Sequence, residues 1–107
     1  MKKAMISQPM KGKTKEEIEA VRNEAIALLE AQGYEVINTW FPDSYEKADK
    51  SGELLNIPLW FLAQSLMKMA QCDAVYFCKG WQDTRGCLIE YETASRYGLT
   101  CLGYVVQ

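Results

Sequence analysis

Apolar residues in this chain come in two kinds of spacing, short unbroken runs and longer stretches at helical period, and the two alternate from end to end. Ala4-Met5-Ile6-Ser7 is an unbroken run that stops at Gln8-Pro9, which predicts a buried strand leading into a loop. The loop runs to Lys13, and Thr14 with Glu17 forms the S/T-x-x-E capping box that opens a helix. Ile18, Val21, Ala25, Leu28 and Leu29 then recur at helical spacing with charges between them, predicting one apolar face. Gly33 ends that helix as a C′ residue. Tyr34-Glu35-Val36-Ile37-Asn38 predicts a second strand, so a βαβ unit with a right-handed crossover is complete by Asn38.

From Thr39 to Asn56 the pattern turns polar and turn-rich, with Pro42-Asp43-Ser44 and Lys50-Ser51-Gly52. A loop of that length in a small domain tends to carry function or to move. Pro58 suits the first turn of a second helix, along which Leu59, Leu62, Leu66 and Ala70 line one face. Trp60, Phe61 and Met67 lie off that stripe. A helix apolar on more than one side is expected either beneath the long loop or at a subunit interface. Asp73-Ala74-Val75-Tyr76-Phe77-Cys78 predicts a third strand, Lys79–Arg85 a loop, Gly86–Tyr97 a helix closed by Gly98, and Cys101–Val105 a last strand.

This order predicts an α/β fold, a parallel sheet with helices on both faces, in a single domain spanning residues 1–107. Ligands of such sheets sit outside the carboxyl ends of the strands, which selects the loops 8–13, 39–56 and 79–85.

Composition narrows the chemistry. The chain has no histidine, so Ser-His-Asp, Cys-His and His-metal arrangements are excluded, and any general acid or base is Asp, Glu, Lys, Tyr or Cys. Cys72, Cys78, Cys87 and Cys101 form no C-x-x-C pair, so reduced, mostly buried thiols and no metal site are expected. A net charge of −2 lacks the basic footprint that duplex nucleic acid or an anionic membrane surface demands. Lys11, Lys13 and Lys15 still form a small basic candidate site. With no signal-like or membrane-spanning stretch, a cytoplasmic location is expected.

Among the acids, Glu90 stands out. Gly86, Glu90, Ala94 and Tyr97 fall along one helical face, and the small residues there let the helix lie close to the sheet. Burying an unpaired carboxylate is costly, so Glu90 is either a partly exposed acid or a functional one. Near the expected cleft, a carboxylate can act as nucleophile or base. Glu92 points elsewhere and pairs with Arg96 at i+4. Asp73 reads as a turn or cap residue at the amino-terminal edge of the sheet, and Asp83 as a loop acid. Thr84 and Gly86 flank a helix start, where free N–H groups favour an anion.

Taken together, three segments resemble the nucleoside 2-deoxyribosyltransferase family. They are Met5-Ile6-Ser7-Gln8-Pro9-Met10-Lys11-Gly12, Cys72-Asp73-Ala74-Val75-Tyr76, and Gly80-Trp81-x-x-Thr84-Arg85-Gly86-x-x-x-Glu90-x-x-x-Ala94. The resemblance is to a small bacterial and phage branch related to deoxynucleotide N-hydrolases. It implies a flavodoxin-like three-layer sandwich with four to five strands, and cleavage or transfer at the N-glycosidic bond of a nucleoside or nucleotide. Glu90 would be the nucleophile, and Asp73 or Asp83 would handle the proton of the leaving base. Thr84 and Gly86 would hold the sugar or a 5′-phosphate, and Lys11 would bind phosphate. Ser7, Gln8, Pro9, Met10, Gly12 and Gly80 would shape the substrate loops, and Trp81 would either stack on the base or be a structural tryptophan. No cofactor is implied, and a homodimer or larger assembly is, with the Leu59–Met69 helix as interface. The chain departs from the family pattern in two places. Met5 or Ile6 stands where a nucleophile-positioning tyrosine is common, and Gln8 replaces a common glycine. The alternative on the same fold is a protein that captures a nucleotide without turning it over.

Overall fold

The computed structural model describes residues 1–40 and 56–105. The expected long loop therefore lies, but for its ends, outside the described residues. Four strands form one parallel sheet in the order β2-β1-β3-β4, with β1 at Lys3–Ser7, β2 at Glu35–Val36, β3 at Ala74–Phe77 and β4 at Thr100–Gly103. The helices are α1 at Lys15–Ala31, α2 at Ile57–Met69 and α3 at Arg85–Arg96, with a 3-10 turn at Trp81–Asp83 before α3. The α/β architecture, a parallel sheet layered between helices in the flavodoxin-like manner, is as the sequence pattern predicts.

Why the strands read as unbroken apolar runs is clear from where alternate residues go. Met5, Val75 and Phe77 pack with Met69 of α2 and Cys87 and Ala94 of α3, while Ala4, Ile6, Ala74 and Cys78 pack with Ala25 and Leu29 of α1. Both sheet faces are covered, so both sets of side chains must be apolar. Strand ends differ from expectation. The second strand is only two residues long, although Ile37 N still donates to Ala4 O at 2.8 Å. The last strand stops at Gly103, where the backbone turns to φ +87.

Helix α1 begins with the N-cap half of the expected capping box, the Glu17 carboxylate accepting from the Thr14 hydroxyl. Thr14 Oγ1 accepts from Glu17 N at 3.1 Å, and Glu16 and Glu17 occupy the positive end of the helix dipole. Thr14→Ala should cost about 1 kcal/mol, read from the urea midpoint. No measurable loss would mean that packing alone holds this helix end.

The buried face of α1 differs from the expected stripe. Ile18, Arg22, Ala25 and Leu29 are buried, whereas Val21 and Leu28 are 42% and 41% exposed. Counting apolar residues rotates the face away from Arg22. On α2, likewise, Leu59 is exposed together with Met67, and Met69 is the buried residue. Phe61, Leu62 and Ser65 turn instead toward a cavity at the carboxyl end of the sheet. On α3, Glu90 and Ala94 are buried with Cys87, and Tyr97, expected on that face, is exposed.

Candidate functional site

Ser7 and Gln8 follow one another at the carboxyl end of β1 and, by strand alternation, point to opposite faces of the sheet. Ser7 shares the face of Met5, under α3, and its Oγ donates to Glu90 Oε1 at 2.8 Å. Gln8 shares the face of Ile6, under α1. Its Nε2 donates to Ile18 O at 2.9 Å, and its Oε1 accepts from Arg22 Nε at 3.2 Å. One strand end thus fixes an acid from α3 and a cation from α1. The chain leaves β1 toward β2 on one side and returns to β3 on the other, so this is the topological switch point, where open parallel sheets bind ligands.

Arg22 Nη1 reaches Thr39 Oγ1 at 3.5 Å, and that hydroxyl donates to Ile6 O at 3.2 Å. Glu90 and Arg22 are only 7% and 5% exposed, and each feels the other's charge. Both line a cavity of about 310 Å³ whose apolar walls include Trp40, Pro58, Phe61 and Leu62. Burial pushes the Glu90 carboxyl up to about 7, against the hydrogen bond from Ser7 and the charge of Arg22. The carboxyl therefore exchanges its proton near neutrality, the property required of a nucleophile or base that must be ionised yet desolvated. Burial likewise raises the Cys87 thiol beside it and lifts Cys78 to about 11, so neither is a ready thiolate.

A wider groove of about 760 Å³ adjoins this cavity and shares Lys11, Pro58, Thr84 and Gly86 with it. Lys13, Lys79 and Arg85 give the groove further positive charge, and Asp83 is the one acid among its described lining residues. The amino terminus of α3 opens there. Thr84 makes no side-chain cap bond; its hydroxyl donates to Gly80 O at 3.3 Å instead. A polar group with an attached anion would thus meet cations and a helix dipole of the right sign.

A family model described as a domain of unknown function, DUF4406, matches residues 2–102, nearly the whole chain. The chain belongs to the DUF4406 family. No curated protein and no solved structure matches it.

Within the DUF4406 fold the expected site residues separate into three groups. Ser7, Gln8, Met10, Lys11, Thr84, Gly86 and Glu90 come together around the two openings, joined at the groove by Pro9, Gly80 and Asp83. Gly12 sits in the exposed turn before α1 and lines neither opening. Asp73 and Trp81 belong elsewhere. Asp73 lies at the amino-terminal end of β3, where its Oδ2 accepts from Lys3 N at 2.8 Å, a strand's length from Glu90. Its place at that edge is the one the pattern predicts, and that place keeps it from the cleft. Trp81 is a core residue. Its Nε1 donates to Tyr104 O at 2.8 Å, and its ring stacks on Tyr91 with centroids 4.6 Å apart. Burial that closes a tryptophan ring on both protein neighbours and a backbone acceptor leaves no face for a ligand.

Two residues of the hydrogen-bonded network, Arg22 and Thr39, were not among the expected site residues of the DUF4406 sequence. Arg22 was hidden by its charge, which ordinarily assigns a residue to the solvent side, although i+4 from Ile18 lies on the same helical face. Thr39 opens the 39–56 loop that the sheet rule selects, but nothing in its neighbours marks it within that loop. Among the described residues, no helix is long and apolar enough to cross a membrane, and no group of three or more cysteines and carboxylates is gathered to hold a metal.

Proposed function

We propose that this protein cleaves or transfers the N-glycosidic bond of a nucleoside or deoxynucleotide, with Glu90 as nucleophile. One observation carries the reading. A buried carboxylate, oriented by Ser7 and poised near neutral pH, faces a cavity that is apolar on one side and opens into a cationic groove on the other. A base suits the apolar walls, the sugar falls at Glu90, and a 5′-phosphate lies toward Lys11, Arg85 and the start of α3. The resemblance of the Ser7–Gly12 and Thr84–Glu90 segments to nucleoside 2-deoxyribosyltransferases supports the same assignment.

In this reading a Glu90 oxygen attacks C1′ as the bond to the base nitrogen breaks and its electron pair departs with the base. The glycosyl ester then yields to water or to a second base, which returns Glu90 to its carboxylate. Ser7 takes the orienting role that a tyrosine has in the resembled family, from a position one or two residues later.

A panel of nucleosides and their 5′-monophosphates, ribo and deoxy, with and without a second free base, tests this by chromatography. Base release or exchange that disappears in Glu90→Gln supports the reading. Inert wild-type protein that nevertheless binds members of the panel favours capture without turnover. The absence of Asp73 from the cleft gives that alternative its footing.

If the groove receives a phosphate, Lys79→Ala combined with Arg85→Ala should weaken 5′-monophosphate binding roughly tenfold, as loss of charge-assisted contacts would. Nucleoside binding should be unchanged. Equal loss for both ligands in titration calorimetry would remove the groove from the substrate site.

A further inference from the structure

Arg22 is a buried cation with no buried anion bound to it among the described residues. Among the described residues no carboxylate stands within ion-pair distance of it, and its hydrogen bonds go to the neutral acceptors Gln8 Oε1 and Thr39 Oγ1. Those bonds use Nε and Nη1. Nη2 makes none among the described residues, yet no fully sealed side-chain nitrogen lacks a partner, so Nη2 is reachable from open space. The open space that Arg22 lines is the cavity of Glu90. A desolvated guanidinium flanked by Gln8 and Thr39, with donors left over and facing a cleft, is an incomplete recognition site. The ligand supplies what completes it.

We propose that Arg22 receives the acceptor edge of the base, selects a 6-oxopurine, and stabilises that base as it leaves. The guanidinium offers only donors, so it accepts a carbonyl oxygen and rejects an amino group at the same position. O6 and N7 of a 6-oxopurine are two adjacent acceptors that match its fork, whereas adenine presents N7 beside an amino group. Trp40, Phe61, Pro58 and Leu62 form the apolar lining that such a base would meet.

The same contact answers the leaving-group problem. Breaking C1′–N9 leaves an electron pair on the base, and that charge spreads to N7 and O6. Arg22 keeps its proton and donates hydrogen bonds to those atoms as their charge grows, so no acid need stand in the cleft. The released base anion takes its proton from water. Asp73 is at the far end of β3 and Asp83 is exposed in the groove, so among the expected acids none is placed to do this work.

This inference rests on the glycosidic reading but is testable apart from it. Binding of free hypoxanthine, guanine and adenine to the full chain would be measured by calorimetry, for wild type, Arg22→Gln and Arg22→Lys. Base release from the purine nucleoside 5′-monophosphates would be followed in parallel. Wild type should favour the oxopurines at least about tenfold, the discrimination typical of a bidentate arginine contact. Arg22→Gln should bring that ratio close to one, with far-UV dichroism confirming the fold. If Arg22→Gln does not fold, Arg22→Lys, which keeps the charge and loses the fork, should still reduce the ratio several-fold.

An unchanged ratio in a folded variant, or a wild type that takes adenine equally well, would overturn the inference. Base release without oxopurine preference would sink Arg22's role alone and leave Glu90's intact. Oxopurine preference without any base release would do the reverse. No binding of any purine would overturn the role of Arg22, and the nucleoside panel would then decide that of Glu90 by itself.

Discussion

Glu90→Gln should stop base release while making the protein more stable above neutral pH. Removing a nucleophile that forms the covalent intermediate lowers turnover by roughly 10³-fold or more, because nothing else in the site can replace the bond it forms. The amide still accepts the hydrogen bond from Ser7, so substrate binding should survive. Stability moves the other way. Burial raises the Glu90 carboxyl from the usual 4.5 to about 7, so the folded chain holds a proton that the unfolded chain has released between those values. Wherever the folded state binds the extra proton, stability falls as pH rises.

That penalty is absent at pH 4, grows across the window from about 4.5 to 7, and is complete by pH 8. At about 1.4 kcal/mol per unit it comes to somewhat over ~3 kcal/mol. The glutamine removes the titration and leaves an amide donor that costs about 1 kcal/mol, for a net gain on the order of 2 kcal/mol at pH 8. Urea unfolding of both proteins at pH 4 and pH 8 reads this directly. Equal stabilities at pH 8 would mean that Glu90 is well solvated. Wild-type kcat/KM should rise with pH through a limb near 7, since only the carboxylate attacks. Base release that persists in the variant would exclude Glu90 as nucleophile.

Gly103→Ala should be the most damaging single-methyl change in the fold. Gly103 pairs with Phe77 across β3 and β4 and has φ +87, a region that side-chain-bearing residues enter at a cost of about 1–3 kcal/mol. A Cβ there would also stand 2.5 Å from Phe77 O and 3.1 Å from Phe77 N. Those are backbone atoms of the central sheet, at a fully buried residue that packs against Trp81 and Tyr91. They cannot swing aside as the tip of a flexible side chain would.

The turn at Gly103 also delivers the next residue. Tyr104 N donates to Phe77 O at 2.9 Å, and Tyr104 O accepts from Trp81 Nε1. Displacing the backbone loosens that end of the core. A loss of about 3 kcal/mol or more is expected, a fall in Tm of at least roughly 10 °C for a chain of this size. A loss below about 1 kcal/mol in urea titrations would show that β4 moves away from Phe77 without breaking the core. Gly98→Ala is the internal comparison. It shares a positive φ, +77, but a Cβ there meets nothing, so it should carry the conformational cost alone.

The parts of this protein that could be read from its chain are those governed by neighbours in sequence. Alternating strand runs and helical stripes specify an α/β parallel sheet, because each pattern reports which side of a local element must leave water. Thr14 and Glu17 mark a helix start through bonds that span three residues. Glu90 was legible because it shares a helical face with Gly86 and Ala94, and a carboxylate on a face of small residues demands a reason.

What escaped depends on partners far along the chain. Ser7 and Glu90 are 83 residues apart, and only the placing of β1 beneath α3 joins them. Arg22 enters the core against its own hydropathy, because Gln8 and Thr39 replace the water it gives up. Asp73, which the resemblance offered with Asp83 for the leaving base, stays at the amino-terminal edge that the pattern gave it, because a parallel strand carries its two ends to opposite edges of the sheet. Trp81 was open to two readings, and the ring of Tyr91 and the backbone of Tyr104 make it the structural one. Sequence by itself determined the layers, their order and the one suspicious acid. Tertiary structure alone decided which cation faces that acid, because charge buried by distant contacts leaves no periodic trace in the chain.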